Sequence, residues 1–150
     1  MPRNALTRRH FFQITNMEEK ILKTLEYQIT IPTSHTFLVR VLKAGNADKK
    51  ISQLSCFILD GTLQSYYLLR YLPSRLAAAA VYIARRAVGR NGWNSTLLKY
   101  AFYCEEDITP VASAILAEKN KSCPELKAIT KKYTTRLHGN VANTTFQCDF

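Results

Sequence analysis

Apolar positions recur every three or four residues along most of this chain, and strand-like alternation does not persist anywhere. The first run predicts a helix from about His10 to Glu26. At about 100° per residue, Ile14, Met17, Ile21, Leu22 and Leu25 gather on one side, while Glu19, Lys20, Lys23 and Glu26 lie away from it. Glu18 breaks the pattern. It falls about 40° from Ile14, between Leu25 and Leu22, so a carboxylate stands in the middle of an apolar stripe. A charge there is costly to bury unless a cation or a hydrogen-bond donor meets it. The pattern therefore aims Glu18 at a partner, in this chain or on another.

Further helices follow. Pro32-Thr33 opens a second, with Thr33 as cap, Phe37, Leu38, Val41 and Leu42 as its stripe and Gly45 as its stop. A third starts near Asp48 and carries Ile51, Leu54, Ile58 and Leu63, with Gly61 expected to weaken or break it. The stretch from Tyr66 to Leu72 reads as an aromatic and leucine-rich connection lying against the core. Ser74 is expected to cap the next helix, whose run Leu76-Ala77-Ala78-Ala79-Ala80 has small residues on nearly every side and suits the centre of a bundle. Arg85, Arg86 and Gly89 mark its end. A short helix with Leu97, Leu98 and Phe102 comes next, entered at Trp93. Glu105, Glu106 and Asp107 then complement the start of another, with Pro110 in its first turn and Val111, Ile115 and Leu116 facing inward. Pro124 restarts the chain for a last amphipathic turn or two with Leu126, Ile129 and Tyr133, and the tail from His138 reads as frayed.

Composition narrows the function classes. The chain has 150 residues, enough for one domain with a sizeable core, and no apolar run long enough to cross a bilayer. No secretory signal is recognisable at the start. Cys56, Cys104, Cys123 and Cys148 are scattered, without a CxxC pair or ligand-spaced histidines, so free thiols and no metal are expected. The Asn-x-Ser/Thr triplets at Asn94, Asn120 and Asn143 read as chance matches. His10, His35 and His138 stand far apart, and the glycines are isolated stops rather than a phosphate-binding loop. No catalytic constellation or cofactor motif is present, and an α-helical interaction module leads over an enzyme. The net charge of +10 gathers at Arg3, Arg8 and Arg9 and from Lys119 to Arg136. Solvation accounts for it first, an acidic protein partner second, and nucleic acid last, because aromatics do not interleave the basic stretches.

An ordered series of motifs resembles the cyclin family. Met17-Glu18, Ile21-Leu22-Lys23-Thr24-Leu25, Tyr27, Pro32-Thr33 and Phe37-Leu38 look like the junction between the two helical repeats of a cyclin. Tyr71-Leu72-Pro73-Ser74 with the alanine run is similar to the central helix of the second cyclin box. Trp93-Asn94-Ser95-Thr96-Leu97, Tyr100, Tyr103 and Pro110-Val111 resemble its later helices. Leu126-Lys127-Ala128-Ile129, Lys131-Lys132-Tyr133 and Val141-Ala142 resemble the terminal segment of A- and B-type mitotic cyclins. The likeness spans roughly Phe11 to Ala142.

The resemblance implies an all-α fold: one five-helix cyclin box, with an additional N-terminal helix and a short C-terminal helix. It divides the chain into an unassigned segment 1–9, the last helix of the first box at 10–30, the second box at 31–136 and a tail at 137–150. It implies a truncated or partial cyclin, a regulatory subunit of a cyclin-dependent protein kinase in mitotic control, found in nucleus and cytoplasm. All catalytic groups would belong to the kinase. Glu18 matches a family glutamate that contacts the kinase, Tyr27 a neighbouring aromatic, and Ile29 extends that surface; core packing is the competing reading for Tyr27 and Ile29. The alternative is a basic module associated with transcription machinery or nucleic acid, since cyclin-box repeats also occur in general transcription factors. The basic partner of the family glutamate and the substrate-docking groove both belong to the first repeat. Without it, the stripe Ile14, Met17, Ile21 and Leu25 must fold back on the second box, self-associate or stay exposed.

Overall fold

Two acceptor side chains set helix starts in the body of the chain. Asp48 accepts the Ile51 amide at 2.8 Å and opens α3 (Lys49–Thr62), once α1 (Arg8–Thr24) and α2 (Ser34–Ala44) have preceded it. Asn94 accepts the Leu97 amide at 2.9 Å and opens α5 (Ser95–Ala101), which follows α4 (Pro73–Ala87). α6 (Glu105–Lys121) and α7 (Ala128–Tyr133) complete the order, with short 3₁₀ turns at Tyr66–Arg70, Arg136–His138 and Val141–Asn143. The computed structural model describes residues 8–90, 92–121 and 127–144, and among these there is no strand. Pro124 and Leu126 lie outside the described residues.

The chain forms two units, Met1–Ile31 and Pro32–Phe150. The first consists of α1 and the turns after it. In the second, α4 is the axis, packed by α2, α3, α5 and α6. Ala77, Ala78, Ala79, Ala80 and Ala84 are fully buried, because methyl-sized side chains let neighbouring backbones approach from several directions. Around them pack Leu38, Ile51, Leu54, Ile83, Leu97 and Ile108. This five-helix bundle, with α7 as a short addition, is the expected all-α architecture.

Local expectations were corrected at several points. Ser74 is not the cap of α4. Leu72 holds that place and Pro73 stands at the first helical position, where its missing N–H leaves nothing to satisfy. The Ser74 hydroxyl instead shares a hydrogen bond with the Tyr103 hydroxyl at 2.8 Å. Pro110 sits in the second turn of α6, since that helix starts at Glu105, and the helix runs through it. Gly61 does not break α3, which continues to Thr62. Gly45 ends α2 without a left-handed conformation; its φ is −80°, and Asn46 supplies the positive φ instead. Space favours glycine at 45, because a Cβ there would stand 3.0 Å from the Leu97 side chain and press on it.

Several apolar residues expected inside are outside. Leu63, Leu98 and Phe102 are exposed, as are Tyr66, Tyr67, Leu69 and Leu72; of the 66–72 connection only Leu68 is buried. Of the tail expected to fray, residues 139–144 turn back and Val141 enters the core, while 145–150 lie outside the described residues. Arg85 does more than face the end of α4. It is buried and donates to the carbonyls of Gly92 (3.2 Å) and Gly45 (3.4 Å), tying α2 to the turn before α5. The acidic trio before α6 divides its work. Asp107 accepts the Cys104 amide at 3.3 Å, half of a capping box, while Glu105 accepts the Tyr82 hydroxyl at 2.7 Å. Cys56 and Cys104 are free thiols.

Candidate functional site

The first unit carries all three residues singled out for partner contact. α1 satisfies its own polar side. Lys23 pairs with Glu19 at 2.6 Å one turn back, and the Thr15 and Thr24 hydroxyls donate to the carbonyls of Phe11 and Lys20. Glu18 is different. It is exposed on the apolar stripe and makes no hydrogen bond or salt bridge with a described residue of its unit. Among the described residues of the unit the stripe has no second element to pack on, and Ile14, Met17, Ile21 and Leu25 surround Glu18 without covering it.

The same wheel, carried one turn earlier than Ile14, brings Phe11 about 20° from Glu18. Phe11 and Phe12 are both exposed large aromatics on this helix, and neither was on the predicted stripe. The signal was available, since Phe11 is seven residues before Glu18.

α1 stops two residues before the predicted Glu26, and without glycine. Glu26 and Tyr27 adopt left-handed conformations, with φ of 50° and 59°. The Tyr27 amide reaches back to the Leu22 carbonyl at 2.9 Å and the Glu26 amide to that of Lys23 at 3.1 Å, which satisfies carbonyls that the helix end would leave open. Such a conformation costs an L-residue roughly 1–2 kcal/mol. The Ile29 amide then bonds the Tyr27 carbonyl at 3.0 Å. Tyr27 and Ile29 are exposed, not packed in a core. Had the helix continued, Tyr27 would stand about 180° from Glu18; the turn frees it from that constraint.

No helix among the described residues is long and apolar enough to cross a membrane, and no group of three or more His, Cys, Asp or Glu residues among them could hold a metal ion. What α1 and its turn can do is bind: an apolar strip with a central acceptor suits a surface that offers a cation ringed by apolar groups.

Comparison with known proteins decides the family. Residues 32–147 match the model of the cyclin C-terminal domain, which begins where the second unit begins. The chain belongs to the cyclin family. Among its relatives, the G2/mitotic-specific cyclin-B3 of Gallus gallus is 35% identical over 134 residues, covering 89% of this chain and 33% of that protein. Cyclin-B2-1 of Oryza sativa subsp. japonica is 37% identical over 134 residues, 88% of this chain and 32% of the relative. Cyclin-B1-2 of Arabidopsis thaliana is 38% identical over 133 residues, 87% and 30%. This cyclin chain therefore spans about one third of the length of these relatives, and the second unit is its C-terminal cyclin box. An alignment of that length exceeds the whole of 32–150, so the B-type similarity reaches back into the segment that carries α1.

Proposed function

We propose that this chain acts as a regulatory subunit of a cyclin-dependent protein serine/threonine kinase in mitotic cell-cycle control, contributing no catalytic group itself. Family membership and the likeness to proteins named as mitotic cyclins support the class. The observation that carries the site is Glu18, an acceptor exposed in the middle of an apolar stripe with its own helix offering it no cation. On a kinase surface the stripe would be dehydrated and Glu18 would meet a basic side chain, with Tyr27 and Ile29 extending the contact from the turn. Apolar burial would supply affinity and the charge pair would set register.

The experiment is a binding and activity titration with purified cyclin-dependent kinase catalytic subunits. Glu18→Ala should weaken binding by about tenfold or more, as truncating one side of a desolvated pair does; Tyr27→Ala should weaken it too, and Glu19→Ala should leave it unchanged. Wild-type chain that binds none of these kinases, or Glu18→Ala binding as well as wild type, overturns the reading.

The basic charge supports a second reading, a module associated with transcription machinery or nucleic acid. It predicts DNA or RNA binding that falls steeply with salt, without kinase capture. The kinase reading further proposes residence in both nucleus and cytoplasm, which imaging of a tagged chain would test. It leaves the Ile14, Met17, Ile21 and Leu25 face to self-associate when no kinase is present, which light scattering across a concentration series would test.

A further inference from the structure

The C-terminal turn of α3, the 3₁₀ turn Tyr66–Arg70, the last turns of α6 and the start of α7 enclose a groove of about 970 Å³, all of it within the cyclin box. Phe57, Ile58, Leu68 and Ile115 give it an apolar floor, and Gly61 leaves a gap in one wall, since a Cβ there would meet nothing within 4 Å. Four lysines line the same groove: Lys119, Lys121, Lys127 and Lys131. Among the described residues one acid lines it with them, Glu118, which already accepts hydrogen bonds from Ser65 and from Lys121.

Part of this positive charge has no ion pair among the described residues. Lys127 and Lys131 stand one helical turn apart, a like-charged spacing that disfavours the helix, and neither forms a salt bridge among the described residues. Lys119 is exposed overall, yet its ammonium lies 5.3 Å from the Phe57 ring centre, and loss of water at that end pulls its pKa down to about 8. Anionic groups laid along the rim would relieve both penalties.

The floor decides between kinds of anion. Single-stranded nucleic acid is held by open aromatic faces set along a basic track. Here Arg70 covers the Tyr67 ring at 5.0 Å and Lys119 the Phe57 ring at 5.3 Å, which leaves Tyr66 as a single open ring at the rim rather than a track, and the floor of Phe57, Ile58, Leu68 and Ile115 suits side-chain anchors. We propose that this groove docks an acidic segment of a partner protein, which seats apolar side chains on Phe57, Ile58 and Ile115 and lays flanking carboxylates against Lys121, Lys127 and Lys131. None of these residues belongs to the α1 segment, so the proposal stands apart from the kinase reading and its failure would leave that reading untouched.

Fluorescein-labelled peptides of roughly twelve residues, with leucine and phenylalanine anchors among aspartates and glutamates, would be titrated by anisotropy against the full chain. Matched peptides with lysine in place of the acids and an oligouridylate serve as competing probes. The acidic set should bind, the charge-reversed set should not, and affinity should fall several-fold between about 50 and about 500 mM salt. Lys127→Glu with Lys131→Glu should weaken binding about tenfold. Gly61→Leu should weaken it by filling the gap, with circular dichroism and the unfolding midpoint showing the box intact. Equal binding of the two peptide sets, unchanged affinity in both variants, or oligouridylate binding more tightly than the acidic set would each overturn the proposal.

Discussion

The Tyr133 hydroxyl donates to Asp60 at 2.9 Å and so ties α7 to α3 across 73 residues of sequence. Lys132 reaches the same carboxylate oxygen at 2.9 Å, and the Tyr133 ring lies 5.3 Å from Phe57 and 5.0 Å from His138. A short helix of six residues would not hold its position alone; this bond and the burial of the ring hold it.

Tyr133→Phe keeps the ring and removes the bond, leaving Lys132 on Asp60. It should lower stability by about 1 kcal/mol in urea unfolding. Tyr133→Ala empties the site and should cost about 3–5 kcal/mol. Equal losses would show that the hydrogen bond, not the packing, holds α7.

Two glycine substitutions should move stability in opposite directions. Gly61 is helical with open space beyond it, so Gly61→Ala should stabilise by about 0.5–1 kcal/mol. At Gly92 a Cβ would stand 2.6 Å from the Tyr82 ring, whose hydroxyl is committed to Glu105. Gly92→Ala should therefore displace that ring and destabilise by about 1–3 kcal/mol, read as a lower urea midpoint.

Ala80→Leu tests the axis of the bundle. The position is fully buried and α4 is packed on several sides, so the larger side chain must force neighbours apart. A loss of about 1–3 kcal/mol, or failure to fold, is expected; an unchanged midpoint would mean the core has room that its packing does not show.

Lys119 and Tyr133 give stability opposite alkaline slopes. With its folded pKa lowered to about 8, Lys119 has shed its proton between there and about 10.4 while the unfolded chain keeps it, so its contribution rises with pH in that window. Burial first, and then the bond to Asp60, raise the Tyr133 pKa; its contribution is complete below about 10 and is lost as pH climbs above that value. At pH near 8, Lys119 should be acylated several-fold faster than the other lysines by an amine-reactive ester, measured by peptide mass spectrometry.

Helix existence was legible in the sequence because spacing alone sets it, and the alanine run of α4 named the centre of the bundle. Ends were less legible. Ser74 looked like a cap because serine commonly is one, but Pro73 one residue earlier already met the need. Phe102 extended an apolar stripe onto a left-handed residue past the end of α5, and Leu63 one residue past the end of α3; both are exposed, and no periodicity marks those ends. Glu18 was legible for the opposite reason, since a charge inside a stripe violates the pattern. The lysine-rimmed groove was not, because its lining comes from elements far apart in the chain and only the fold brings them together.

On the proposed kinase reading, the paired left-handed residues after α1 would set stability against recognition. Glycine at 26 would remove one source of strain and firm up the helix end, yet it would also let the chain swing, so that Tyr27 no longer points one way. If Tyr27 meets a kinase as proposed, a more robust protein would then be a poorer binder, and the discomfort of two residues would be part of how that surface holds its shape.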